Sequence, residues 1–230
     1  LCSMVLLFLL IRAVIYSMYT AMTIGSRGSA KLDIISFREL SEADQSTAAK
    51  RVAAMIANRD KEGALMIEVT PEEILAKHLG VLACLSLDAR KPRIVGYAGI
   101  LEPVMHRPNG SHESQAMAEV GSLIVDRDYQ QRGIGHILFR AATHAAQEEE
   151  IIPYAFCNSN SLSIAQSSGY RRAAPGDIPE SAYDLCAQCP SNPLAQNGTR
   201  VGMTPRDLPR CCDTVMVYDA NQPTRNHTTV

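Results

Sequence analysis

Apolar residues recur along the chain in distinct rhythms, and each rhythm marks an element. In Asp44–Arg59, Ala49, Val52, Ala53 and Ile56 fall at i, i+3, i+4 and i+7, which predicts a helix. Gly133–Glu149 carries the clearest stripe, with Ile134, Ile137, Leu138, Ala141, Ala142 and Ala145 on one helical face. Thr70-Pro71-Glu72-Glu73 combines an N-cap, a proline at the first helical position and first-turn acids. It predicts a short helix to about His78, ended by Gly80. Asn158–Ser168 reads as another short helix, with Gly169 as its C′ residue. Short apolar runs of strand type occupy Asp33–Phe37, Val81–Leu87, Ile94–Leu101, Ala116–Val125, Ile151–Cys157 and Asp213–Tyr218. Polar turns fall at Asp88–Arg93 and His106–Gln115, the second holding the hairpin signal Asn109-Gly110. The strands at Ile94–Leu101 and Ala116–Val125 are therefore expected as antiparallel neighbours. The acidic run Glu148–Glu150 reads as solvated surface at an unfavourable helix end. The order β-α-α-β-β-β-α-β-α-β implies an α/β domain with a mixed sheet.

Residues 1–24 follow neither rhythm: they are almost entirely apolar, with one charge at Arg12. The length suits a membrane span, which needs roughly 20 apolar residues. A central arginine is costly there, and neither a basic n-region before Val5–Leu10 nor a cleavage site marks a signal peptide. The expectation is a start placed too early, with Met18 or Met22 as initiator; a genuine anchor or signal is the alternative. The chain thus divides into an apolar extension and spacer at 1–31, one domain at 32–220 and a polar tail at 221–230. Lys plus Arg number 22 and Asp plus Glu 24, a net charge of −2, which argues against a nucleic-acid partner. The 7 cysteines are an odd number and fit a reducing, cytoplasmic compartment better than a paired disulfide framework. Sequons at Asn109, Asn197 and Asn226 matter only in a secreted chain and read as incidental.

The segment with the most chemical content is Val125-Asp126-Arg127-Asp128-Tyr129-Gln130-Gln131-Arg132-Gly133-Ile134-Gly135-His136. It runs from a strand through a tight loop into the strongest helix. Gly133 and Gly135, one residue apart, let the backbone turn sharply and expose successive N–H groups. Those donors and the positive end of the helix dipole make an anion site, to which Arg132 can add a charge-assisted bond. No Gly-Lys-Ser/Thr follows and the three-glycine dinucleotide fingerprint is absent, so neither common phosphate loop is present. A Q-x-x-G-x-G turn also occurs as a bare strand–helix connection.

The stretch Glu119-Val120-Gly121-Ser122-Leu123-Ile124-Val125-Asp126, with Tyr129-Gln130-Gln131-Arg132-Gly133-Ile134-Gly135, closely resembles the acetyl-CoA motif of the GNAT superfamily of acyl-CoA N-acyltransferases. Asn158-Ser159-Asn160-Ser161-Leu162 and Ser168-Gly169-Tyr170 resemble its second motif. The resemblance covers roughly Asp33 to Asp219 in element order. It implies a GNAT-type α/β fold: a mixed, mostly antiparallel central sheet flanked by helices. It also implies acetyl-CoA as co-substrate, lying in a V between the fourth and fifth strands. Backbone groups of Leu123, Ile124 and Val125 would hold its pantetheine arm, the loop from Gln130 and Gln131 through Arg132, Gly133, Ile134 and Gly135 to His136 its pyrophosphate, and Asn158 its arm. An amine would attack the thioester directly, with Glu119 taking the proton. Alternation puts Glu119, Gly121 and Leu123 on one face; a surface strand carboxylate is the other reading of Glu119. Many proteins of this fold dimerise, so a homodimer is compatible with it, and a membrane partner would require a real anchor at residues 1–24.

Two positions depart from the family pattern. Ala165 stands where a tyrosine often protonates the leaving thiolate, leaving Ser163, Ser168 or solvent for that role. Gly121 stands where amino-acid acetyltransferases carry a basic residue. These departures motivate the alternative of an acetyl-CoA-binding regulatory module with little or no turnover. The segments Asp177–Pro190 and Cys211–Val217 resemble short bacterial amino-acid N-acetyltransferases of the N-acetylglutamate synthase type, and Lys61–Met66 resembles their substrate-side loop. That likeness implies a small amine, such as an amino acid, as acceptor. Cys186, Cys189 and Cys211 could hold zinc with a fourth ligand, but adjacent Cys211 and Cys212 point opposite ways on a strand. Free thiols, or one Cys189–Cys211-type bridge, are favoured and no metal is expected. Cys84 and Cys157 read as small core residues, and His78 and His144 as helix surface.

Overall fold

The computed structural model describes residues 31–61, 68–86, 92–108, 112–184 and 214–221. The apolar extension, the loop at 62–67, Asn109-Gly110, the other two sequons, Cys186, Cys189, Cys211, Cys212 and the polar tail lie outside the described residues. No helix among the described residues is long and apolar enough to cross a membrane.

Among the described residues, eight strands form one sheet: β1 (Lys31–Ser36), β2 (Leu79–Ser86), β3 (Arg93–Ile100), β4 (Val104–His106), β5 (Gln115–Val125), β6 (Ile152–Cys157), β7 (Tyr170–Arg172) and β8 (Thr214–Tyr218). Their order is β1-β2-β3-β5-β6-β8-β7, with β4 beside β5. The β5–β6 pair is parallel and the others are antiparallel, as the sequence resemblance implied. Among the described residues, four α-helices accompany the sheet: α1 (Glu42–Lys61), α2 (Pro71–Leu75), α3 (Ile134–Glu148) and α4 (Leu162–Ser167).

Helix α3 buries only half of the predicted stripe: Ile134, Leu138 and Ala142 are buried, Ile137, Ala141 and Ala145 are partly buried, and the inner face turns toward Phe139, Thr143 and Ala146. Ile134, Leu138, Phe139, Ala142 and Ala146 pack with Ala83, Ala98, Val120 and Ala155 on one face of the sheet. Ala49, Val52 and Ile56 of α1 and Ile74 of α2 cover the other face, against Leu82, Cys84, Tyr97 and Ile124. Small residues such as Ala83, Ala98 and Ala155 under α3 let it lie close to the strands. Cys84 and Cys157 are buried and free, as expected of small core residues.

Four local expectations need correction. Helix α2 stops at Leu75, and Gly80 lies within β2 opposite Gly99 rather than ending a helix. The Thr70 cap is real: its hydroxyl accepts from Glu73 N, while Thr70 N donates to Glu73. The acidic run is not merely solvated, because Glu149 Oε1 accepts from Arg38 Nη1 at 2.8 Å and its Oε2 lies 2.6 Å from His78 Nε2. His78 therefore sits in an ion cluster beyond α2, not on a helix face. Finally, the sequence reading missed β4 and β7; three residues are too few to show alternation.

A row of glycines crosses the centre of the sheet. Gly80, Gly99 and Gly121 are successive cross-strand partners on β2, β3 and β5. The first two make room for the ring of Tyr97: a Cβ at Gly80 would stand 3.0 Å from the ring, and one at Gly99 2.7 Å from the hydroxyl. The ring packs edge-to-face on Phe37 at 6.2 Å. Its hydroxyl is fully buried and has no hydrogen-bond partner among the described residues. An unmet buried hydroxyl is destabilising, so Tyr97→Phe is expected to raise stability by about 1 kcal/mol. Urea unfolding tests this; a loss of stability would reveal a partner for the hydroxyl.

Candidate active site

Strand β5 changes partners midway, and the change opens the sheet. Its pairing with β6 covers only Met117–Glu119 against Ile152–Tyr154. Beyond Glu119, β5 stays with β3, while β6 stays with β8 through Cys157. The register between β3 and β5 shifts between Tyr97 and Gly99, where Ser122 adopts φ 53°. An extra residue with left-handed backbone is a bulge, which bends the strand and increases its twist. The two central strands thus diverge from an apex at Glu119, giving the V that the resemblance implied.

The bulge also overturns one expectation about faces. Ala118 and Val120 pack toward α3, and so do Leu123 and Val125. Ile124 packs toward α1. The extra residue at Ser122 inverts the alternation, so Leu123 does not share a face with Glu119 and Gly121.

Glu119 is half-buried at the apex. A Cβ at Gly121 would lie 2.8 Å from its Oε1, so the glycine gives the carboxyl its room. This accounts for the missing basic side chain at 121: nothing larger fits without displacing Glu119. Among the described residues no hydrogen-bond donor reaches the carboxylate. Burial pushes its pKa up to about 7, against the opposing field of the Lys77 ammonium. A group poised near neutrality can both take and release a proton. The reading of Glu119 as a plain surface carboxylate does not fit this setting. Lys77, half-buried after α2, is lowered in turn by burial and partly restored by the charges of Glu119 and Glu73.

The loop after β5 is braced by its side chains. Asp126 Oδ2 accepts from Arg51 at 2.6 Å and Arg93 at 3.1 Å, and Asp126 Oδ1 accepts from Asp128 N at 3.3 Å. Gln130 Nε2 donates to the Val125 carbonyl at 2.9 Å, so this side chain shapes the turn. Arg132 Nη2 donates to Asp128 O at 3.1 Å, with its guanidinium 5.5 Å from the centre of the Tyr129 ring. These bonds hold the backbone where Gln131 (φ 58°) and Gly133 (φ 77°) both take left-handed conformations. Gln131, Arg132 and Gly133 are exposed, and a Cβ at Gly133 would meet no atom within 4 Å. Ile134 and Gly135 open α3, so their N–H groups have no intrahelical carbonyl to meet. A left-handed turn with open space in front of a helix N-terminus suits a phosphate group. The chain therefore fits the phosphates of an acyl-CoA in this loop. His136 is half-buried in the first turn of α3. Asn158 uses its Oδ1 to accept from Asn160 N at 2.9 Å and Ser161 N at 3.1 Å, so it caps the approach to α4.

The stand-ins for the absent tyrosine separate clearly. Ala165 is fully buried in the core, and Ser168 donates to the Ile164 carbonyl at 2.8 Å; Ser163 is exposed. Ser168 is thus committed to its helix. No group of three or more potential metal ligands occurs among the described residues. Sequence reasoning gave no part to Lys77, which lies in no motif; the fold brings it near enough for its charge to act on Glu119.

The sequence profile of the Acetyltransferase (GNAT) family matches residues 53–170. No curated protein sequence matches the chain. Among solved structures, a GNAT-family acetyltransferase from Staphylococcus aureus Mu50 is 18% identical, covering 65% of this chain and 90% of its own, with a TM-score of 0.46. The N-acetylglutamate synthase of Neisseria gonorrhoeae, solved with coenzyme A and N-acetyl-glutamate, is 16% identical. That match covers 81% of this chain but only 34% of the Neisseria enzyme, with a TM-score of 0.48. A Mycobacterium tuberculosis protein solved with CoA is 12% identical, covering 77% of this chain and 95% of its own, with a TM-score of 0.45. The profile spans half of the chain and takes in the apex, the loop, α3 and the Gly169-Tyr170 pair, so the chain belongs to the GNAT family of acetyltransferases and is an acetyl-CoA-dependent acyltransferase.

Proposed function

We propose that the protein transfers an acetyl group from acetyl-CoA to a primary amine of a small molecule by direct attack. The observation that carries this reading is Glu119 at the apex of the V, with a pKa raised to about 7. The loop from Gln131 to Gly135 would hold the phosphates, and the β5 edge at Leu123–Val125 would hold the arm. Bound acetyl-CoA supplies an activated acyl carbon. The amine nitrogen bonds to that carbon, the carbon–sulfur bond breaks, and the proton shed by nitrogen goes to Glu119. Ser168 is engaged elsewhere, so the departing thiolate takes its proton from solvent. A binding-only regulatory module is not favoured, because it gives no reason for a carboxylate of raised pKa at the apex.

The test is to incubate the full chain with acetyl-CoA and a pool of L-amino acids, polyamines and aminoglycosides. Mass spectrometry should find an N-acetylated product formed in step with free CoA. Release of CoA without any N-acetylated product would overturn the reading.

A further inference from the structure

Attack on a thioester places negative charge on the carbonyl oxygen, and a hydrogen-bond donor aimed at that oxygen stabilises it. Glu119 cannot serve there, because an ionised carboxylate only accepts. A neutral donor stands on the other arm of the V. Tyr154 of β6 is paired in register with Glu119, at the last rung before the strands part. Ala118, Val120, Ala155 and Cys157 pack toward α3, so alternation turns Glu119 and Tyr154 to the opposite face together. Tyr154 packs there with Met117, Val215 and Val217, and edge-to-face on Phe156 at 6.2 Å. The two strands are about 5 Å apart, so the carboxyl and the phenol are neighbours over the apex.

The Tyr154 ring is buried, yet its hydroxyl has no hydrogen-bond partner among the described residues. Among those residues only Tyr97 keeps an unpartnered side-chain polar atom sealed from solvent, so the Tyr154 hydroxyl is not sealed. Burial and the neighbouring charge of Glu119 push its pKa above the ordinary tyrosine value. It therefore stays protonated at neutral pH, able to donate but not to act as a base. Packing alone does not ask for this hydroxyl, since phenylalanine would fill the same place without an unmet donor.

We infer that Tyr154 is a second catalytic residue, whose hydroxyl donates a hydrogen bond to the thioester carbonyl oxygen while the amine attacks beside Glu119. This rests on the acetyl-transfer reading above. The attacking nitrogen must lie about 3 Å from Glu119, and the acyl carbon about 3 Å from the nitrogen. The carbonyl oxygen then falls over the apex, beside the strand that carries Tyr154. As nitrogen bonds to carbon, the carbonyl pair moves onto oxygen and the phenol holds it. The pair returns as the carbon–sulfur bond breaks. Tyr154 gives up no proton; the proton from nitrogen still goes to Glu119.

The experiment compares the full chain with Tyr154→Phe, which removes one oxygen that holds no bond in the free protein. With any amine that the intact protein acetylates, Tyr154→Phe should lower kcat about 10²-fold, while KM for acetyl-CoA and the inflection near pH 7 are kept. An unchanged kcat would overturn the inference. So would a displaced inflection, which would mean that Tyr154 acts through Glu119. Infrared spectra of bound acetyl-CoA, labelled with carbon-13 at the acetyl carbonyl, test the same bond without an acceptor. The carbonyl band should lie at lower frequency on the intact protein than on Tyr154→Phe. Equal frequencies on the two proteins would overturn the inference even where acetyl transfer is intact. A lowered band with no acetylated amine would uphold the hydrogen bond while the transfer reading fails.

Discussion

Replacing Glu119 by Gln is expected to lower kcat by about 10²–10⁴, the usual contribution of a positioned base, with CoA affinity kept. The pH profile supplies the sharper signature. The base works only when ionised, so kcat/KM of the parent chain should rise with pH through about 7 and then level off. In Glu119→Gln the residual rate should lose that inflection. Stability should move the opposite way. A carboxyl whose pKa is raised in the folded chain holds its proton more tightly there than when unfolded. Stability from this group is complete below the ordinary carboxyl pKa and declines as pH rises through about 7. Thermal melts should therefore show Glu119→Gln gaining over the parent at pH 8 but not at pH 4. A variant with full activity would remove Glu119 from the chemistry.

Substituting Gly133 by Val is expected to weaken CoA binding by about tenfold or more, because left-handed backbone is strongly disfavoured for a β-branched residue. The cause is conformational: Gly133 holds φ 77° and ψ −3° at the N-cap of α3, while the space in front of it is open. Relaxing that strain turns the exposed N–H groups away from a shared focus. Gly133→Asn should lose less, since asparagine tolerates the left-handed region. Gly135→Ala is the control. Its added Cβ would lie 3.4 Å from Ile164 Cδ1 and 3.9 Å from Val125 Cγ2, ordinary contacts that leave the turn alone. Calorimetric titration with CoA reads all three, and an unchanged affinity in Gly133→Val would exclude this loop as the phosphate seat.

Some parts of this molecule were written into local sequence, and others were not. The helix that begins at Ile134 and the Thr70 cap depend on neighbours within a turn or two, so both were legible, although the buried face of the helix is centred nearer Phe139 and Ala146 than its apolar spacing showed. The glycine pair after Arg132 was legible for the same reason. The bulge was not, because a period of two carries no mark of a left-handed serine at 122; the inverted face of Leu123 followed from that. Gly80 shows the opposite error. Read along the chain, it is a helix terminator; across the sheet, it is the floor beneath Tyr97. Glu119 could be nominated from its motif, but its raised pKa comes from burial at a strand junction. Lys77, some forty residues earlier, acts on its charge only through the fold.

The diverging strands have a consequence for the protein before it meets any ligand. A sheet ordinarily has two borders, here β1 and β7. Past Glu119 the flank of β5 turned toward β6 lacks a strand partner among the described residues, which makes a third border in the interior. Backbone amides along such a border exchange with deuterium as readily as those of a loop, even though they sit among core strands. The same border is a template on which a strand from another molecule can pair. Filling the V should slow exchange there and suppress self-association together, so storage with CoA is expected to protect the protein from aggregation as well as from unfolding.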